Sequence, residues 1–166
     1  MNRSLRYRSA RETDAFAIAN MSRELVETGL GWSWRPARVL RNLQRKDTLG
    51  VVAATDCSLA GFAIMQFAED EAFLKLLAVD VRWRRRGVGH ALVDWLEQTA
   101  LIAGTPMVYL ETRAGNTPAI CFYQRLGYAV FDRIHGYYRA REDALRLGKD
   151  LWSVPLREKT GSDTNQ

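Results

Sequence analysis

The sequence predicts a mixed α/β fold: one domain built on a central sheet of about six to seven strands, flanked by about four helices. Helical and strand-like periodicities alternate along the chain instead of falling into separate blocks. The run 72–81 is nearly continuous in apolar residues, as in a strand buried on both faces. Glycine or proline punctuates most of the junctions. The chain of 166 residues is long enough for one domain with its own core, expected over 1–156. The polar end, 157–166, has no large apolar residue and is expected to be a disordered tail.

The elements follow in order. Residues 5–8 alternate as a short strand. Thr13 and Asp14 are candidate caps for a helix to about Thr28, with Ile18, Met21, Leu25 and Val26 on one side. Gly29-Leu30-Gly31 stops it, and Pro36 suits the first turn of a second helix through about Arg45. Two strands, 49–55 and 59–68, meet at Asp56-Cys57-Ser58, and the strand 72–81 follows. Val88, Ala91, Leu92, Trp95 and Leu96 recur at threes and fours, predicting a helix over 87–103 that Gly104-Thr105-Pro106 ends. Met107–Arg113 is a strand, parallel to 72–81 because a helix joins them. Thr117 is the candidate cap of a last helix, with Pro118 at its first position. Ala119, Phe122, Tyr123 and Leu126 form its stripe, and Gly127 its C-terminal cap. Residues 128–133 and 143–149 close the sheet.

Composition removes several kinds of chemistry. Cys57 and Cys121 are too few for a disulfide framework, lack metal-ligand spacing, and are expected to be small buried apolar residues. His90 and His135 form no pair, so neither a metal site nor a histidine triad is expected. The start lacks the apolar segment of a secretory signal, and no apolar run approaches a membrane span, so the expected location is cytoplasmic, without a membrane partner. The net charge of +5 suits an anionic partner without choosing one.

Arginine placement narrows that choice. In Val81-Arg-Trp-Arg-Arg-Arg-Gly-Val-Gly-His-Ala91 a strand ends and a helix opens. The first N–H groups of a helix have no internal partner and carry the positive end of its dipole. Gly87 and Gly89 permit close backbone approach, while Arg84, Arg85 and Arg86 add charge for phosphate oxygens. The loop is no Walker motif, and Leu92 stands where a dinucleotide fingerprint has its third glycine. A solvated basic turn is one alternative. A nucleic-acid patch with Trp83 as platform is another, but basic and aromatic residues are not interleaved over a longer surface, so nucleic acid is not an expected partner.

A second constellation lies about thirty residues on. Arg84-x-x-Gly87-x-Gly89, with Asn116 followed by Ala119-Ile120-x-x-Tyr123-x-x-x-Gly127-Tyr128, resembles the GNAT acetyltransferase superfamily. Leu77-Ala78-Val79-Asp80, Leu110-Glu111-x-Arg113 and Tyr137-Tyr138 with Arg141-Glu142-Asp143-Ala144 are similar to its ribosomal-protein alanine N-acetyltransferase branch.

The resemblance implies acetyl-coenzyme A as cosubstrate and no metal. Backbone groups of Leu77, Ala78 and Val79 would align the pantetheine arm, and those of Arg84, Arg85, Arg86, Gly87, Val88, Gly89 and His90 would hold the diphosphate. Asn116 would contact the cofactor near its reacting end. Tyr123 would protonate the departing thiolate, and Glu111 would take the proton of the acceptor amine. Each has a plainer reading: a core tyrosine, an ion pair of Glu111 with Arg113, a turn asparagine. Trp32 and Trp34 suggest an adaptable wall over the acceptor or a cover for the core edge, and 135–138 an opposite wall. The acceptor stays open among a protein N-terminus, an amino acid and a small amine. The chain is expected as monomer or homodimer. A catalytically silent acyl-coenzyme A-binding module is the alternative.

Overall fold

The computed structural model describes residues 4–153. The expected tail, 157–166, lies outside them. In chain order the elements are β1 (Arg6–Ser9), α1 (Ala15–Leu25), α2 (Pro36–Leu43), β2 (Thr48–Ala54), β3 (Leu59–Phe67), β4 (Glu71–Val79), α3 (Val88–Ala103), β5 (Met107–Arg113), α4 (Thr117–Arg125), β6 (Ala129–Tyr138) and β7 (Glu142–Asp150). The seven strands form one sheet in the order β1-β2-β3-β4-β5-β7-β6. Every neighbouring pair is antiparallel except β4 and β5, which α3 joins. A parallel pair requires such a crossover.

Each face of the sheet buries its own core. Val88, Leu92, Leu96 and Ala100 of α3 pack with Tyr123 of α4 on Val51, Met65, Val108 and Leu110. Ile18, Ala19, Trp34 and Val39, from α1 to α2, pack on Val52, Phe62, Ile64 and Leu76. β4 changes face midway. Ala72 and Leu74 belong to the α3 core, whereas Leu76 and Ala78 belong to the α1–α2 core. Strict alternation would keep all four on one face. The register explains the change: Leu74 faces Met65 and Leu76 faces Ile64, so Lys75 is the extra residue of a β-bulge.

Local chemistry corrects several expectations. Asp14 does not cap α1 with its side chain; it accepts from Arg8 (2.7 Å) and from the Arg11 N–H (2.7 Å). Asn116, not Thr117, caps α4, its Oδ1 accepting from the Ala119 N–H at 3.3 Å. β6 reaches Tyr138, well beyond residue 133, and turns into β7 at Arg139-Ala140. Both turn residues have left-handed φ, 52° and 55°, and Arg141 N–H closes the turn on Tyr138 O at 3.0 Å. Such a turn normally carries Asn-Gly, so Arg-Ala gives no hairpin signal. Cys57, in the β2–β3 turn, and Cys121, on α4, are exposed rather than buried.

Candidate active site

β4 and β5 pair at only four positions, from Glu71 opposite Met107 to Leu74 opposite Leu110. Both strands continue, β4 to Val79 and β5 to Arg113. The parting begins at the Lys75 bulge, and a bulge bends its strand and sharpens its twist. A gap thus opens in mid-sheet, flanked on one side by Leu77, Ala78 and Val79. Main-chain groups turned from β3 toward this gap have no strand partner, which is the chemistry that pairs with an extended amide-bearing chain.

The loop 80–87 leads from that gap into α3. Asp80 accepts from the Arg82 N–H (2.9 Å) and pairs with its guanidinium (2.7 Å), which holds the Asp80 carboxyl down at about 2. Arg84 Nε donates to Val79 O at 3.1 Å, bracing the loop on β4. Arg85 (φ 60°) and Gly87 (φ 78°) are both left-handed, a curl that turns successive N–H groups to one side. Within the described residues no main-chain N–H from Arg84 to His90 makes a well-formed hydrogen bond, and Ala91 N–H is the first to close on α3, at Gly87 O (3.0 Å). These free amides and the exposed Arg84, Arg85 and Arg86 make an anion cradle at the N-terminus of a 16-residue helix. Gly89 has a packing reason besides: a Cβ there would lie 3.1 Å from the Phe122 ring of α4. Trp83 is no free platform, because Arg86 covers it at 5.2 Å.

Two tyrosines close the α3 side, and their hydroxyls differ. Tyr128 donates to Glu97 at 2.9 Å, and Lys149 meets the same carboxylate at 2.8 Å. Tyr123 is buried in the same core, its ring edge-on to those of Phe122 and Tyr128. Its hydroxyl makes no hydrogen bond among the described residues, yet no buried side-chain oxygen there is sealed off without a partner. The Tyr123 oxygen therefore keeps an opening. Burial pushes its phenol up.

Glu111 lies on the opposite face of β5, since Val108 and Leu110 point into the α3 core and alternation turns Tyr109, Glu111 and Arg113 away. Its ion-pair partner is Arg146 of β7, at 2.6 Å, not the Arg113 expected from the sequence. Tyr137 lies against the same carboxylate, which with burial pushes its phenol up to about 12. Arg113 instead ties two loops to β5. It donates to Thr28 O at 2.7 Å and Val26 O at 3.4 Å, and lies 3.9 Å from Glu142.

The α1–α2 connection is also held from within. Glu27, 8% exposed, accepts from Ser22, Ser33 and the Trp34 N–H. Trp34 is buried in the second core, and Trp32 donates to Ala19 O and Trp34 O, so the tryptophans cover a core edge instead of forming an adaptable wall. A cavity of about 340 Å³ remains between this connection and the β6–β7 turn, lined among others by Gly29, Leu30, Arg113, Tyr138, Arg141 and Glu142. Arg146 and Glu27 carried no sequence signal, because each acts through a register or a loop closure that only the fold creates.

Comparison with known proteins agrees with this fold. The family model described as "Acetyltransferase (GNAT) family" matches residues 18–128. A ribosomal protein bS18-alanine N-acetyltransferase of Salmonella typhimurium is 36% identical over 100 residues, which cover 58% of this chain and 68% of that protein. The N-terminal acetyltransferase B complex catalytic subunit naa20 of Schizosaccharomyces pombe is 30% identical over 168 residues, covering 96% of this chain and 87% of that one. The crystal structure of the ribosomal-protein-S18-alanine N-acetyltransferase from Escherichia coli superposes with a TM-score of 0.77 at 28% identity, covering 93% and 98% of the two chains.

Proposed function

The chain belongs to the GNAT acetyltransferase family, and from that premise we propose that it moves an acetyl group from acetyl-coenzyme A to a primary amine, with a protein N-terminus as the leading acceptor. The observation that carries this reading is the gap between β4 and β5, which has Tyr123 on one face of the sheet and Glu111 on the other. A pantetheine arm running from the 84–90 cradle along 77–79 would bring its thioester between them. The names of relatives similar in sequence, a ribosomal-protein alanine N-acetyltransferase and an N-terminal acetyltransferase catalytic subunit, favour that acceptor class.

In the proposed reaction the amine nitrogen attacks the thioester carbonyl and the carbon–sulfur bond breaks. The amine must be neutral to attack, and an α-ammonium titrates near 7.7–8.0, so Glu111 takes its proton directly or through a water. A main-chain N–H of 77–79 polarises the carbonyl. Tyr123, whose hydroxyl has no partner to give up among the described residues, supplies the proton to the leaving thiolate. Asn116 spends Oδ1 on its cap, which leaves Nδ2 for the cofactor. The transfer is direct, within a ternary complex: Cys57, in the β2–β3 turn, and Cys121, on α4, are both exposed, and no histidine adjoins either in sequence to activate it.

The test is thiol release from acetyl-coenzyme A across a panel of peptides, amino acids and small amines, with mass spectrometry on the products. Amine-dependent release and an acetylated α-amine are expected. Cofactor binding without turnover on any acceptor would replace this reading with a silent acyl-coenzyme A module.

A further inference from the structure

Outside the 84–90 loop, positive charge is concentrated on the other face of the sheet. A cavity of about 500 Å³ opens between α2, the turn after it and the middle of β4, lined by Arg38, Arg41, Asn42, Gln44, Arg45 and Lys75. Four of these six side chains are cationic and none is a carboxylate. Of these four cations only Arg45 has an ion-pair partner among the described residues, Asp47 at 2.7 Å. The other contacts position the cations without neutralising them. Arg38 stacks over Trp34 at 4.4 Å, and Lys75 Nζ reaches Asn42 Oδ1 at 3.5 Å. Asn42 is itself fixed, donating to Arg38 O at 2.9 Å.

The fold holds this set together against its own repulsion. Val39 packs inward from α2, which turns Arg38 and Arg41 to the open side, and the β4 bulge aims Lys75 at them. Burial, then Arg45 and Arg38, press the Lys75 ammonium below its ordinary value. Like charges gathered at one cavity leave a field that an anion relieves.

We propose that this cavity is a second anion site, separate from the coenzyme A loop, which takes consecutive phosphate groups of a polyanion. Three guanidiniums favour phosphate, whose oxygens match their planar forks. Their origin in successive turns of α2 and beyond suits several phosphates in a row better than one ion. The site packs with the α1–α2 core while α3 packs with the other, so the two anion sites occupy opposite faces of the sheet. A polyanion here lies on the face to which Glu111 turns. The sequence conceals the cluster because Lys75 stands thirty residues from Arg45.

The test is fluorescence anisotropy of a short labelled single-stranded RNA, with coenzyme A saturating so that the 84–90 loop is filled. Arg41→Glu, on an exposed helix position, and Lys75→Gln are each expected to weaken binding about 10-fold. The slope of log affinity against log salt should fall by about one for each cation removed, with melting temperature unchanged. Displacement by tripolyphosphate at similar concentration assigns the site to a free phosphate chain; resistance to it assigns the site to a nucleic-acid backbone. Unchanged affinity in both variants, no binding of either probe, or equal displacement by oligoglutamate overturns the proposal. Loss of acetyl transfer on every acceptor would bear on the proposed function and not on this site, because the anisotropy does not require turnover.

Discussion

Arg146 on β7 donates twice to one oxygen of Glu111, at 2.6 and 3.1 Å, from the position directly across β5. The carboxylate side chain is 11% exposed, and turning away would separate it from its guanidinium, which would keep only Asp132 at 4.0 Å. One pair thus orients the proposed base.

Glu111→Gln is expected to lower kcat by about 100-fold or more. Arg146→Met should lower it by roughly 10- to 100-fold through misplacement alone, leaving the KM for acetyl-coenzyme A in place. Because the two act as a unit, the double variant should be no slower than Glu111→Gln. Steady-state kinetics in which the losses multiply would separate Arg146 from the base.

Tyr123 and Tyr128 should divide activity from stability. Tyr123→Phe keeps the ring in the core and loses a hydroxyl that has no partner among the described residues, so kcat falls about 100-fold while the melting temperature holds. Tyr128→Phe leaves a buried Glu97 oxygen without its donor and costs about 1–3 kcal/mol, with turnover retained. Denaturant titration beside kinetics reads both. Full activity in Tyr123→Phe removes it as the acid.

Arg113 joins β5 to the α1–α2 connection and to Glu142 at the start of β7. Arg113→Ala should raise the acceptor KM about 10-fold, a loss of roughly 1.4 kcal/mol in acceptor binding, with the acetyl-coenzyme A KM unchanged. Arg113→Lys should recover little, because one ammonium cannot serve two carbonyls and a carboxylate in the same geometry. Equal changes in both KM values would point to a general loosening of the fold.

The β6–β7 hairpin should be sensitive to acid. The Gly136 N–H, then Arg133, hold the Asp143 carboxyl down at about 2 from 3.8. A carboxyl with a lowered folded value contributes stability in full above its unfolded value and loses it as pH falls toward the folded one. Melting temperature should therefore drop between about pH 4 and pH 2, and Asp143→Asn should flatten that drop. An unchanged slope in the variant would assign the acid loss elsewhere.

Much of the fold was legible because its signals are local. The period of α3 and the strand at Met107–Arg113 needed only neighbours in sequence. The β6–β7 turn was not legible, because left-handed Arg139 and Ala140 replace the residues that advertise such turns. The burial expected of Cys57 and Cys121 followed residue type, whereas their positions in a turn and on an outer helix face decided it.

The site divides in the same way. By itself the sequence marked a candidate anion loop with Gly87 and Gly89, and, through the resemblance, Tyr123 and Glu111 as candidate acid and base. A strand–loop–helix junction is contiguous, so its free amides and charges can be read along the chain. Only the tertiary structure decided that Glu111 pairs with Arg146, that Tyr123 and not Tyr128 has a hydroxyl to spare, and that a bulge at Lys75 parts β4 from β5. Those facts depend on register and on packing between segments far apart in the chain, and a one-residue slip of β5 would turn Glu111 to the other face of the sheet.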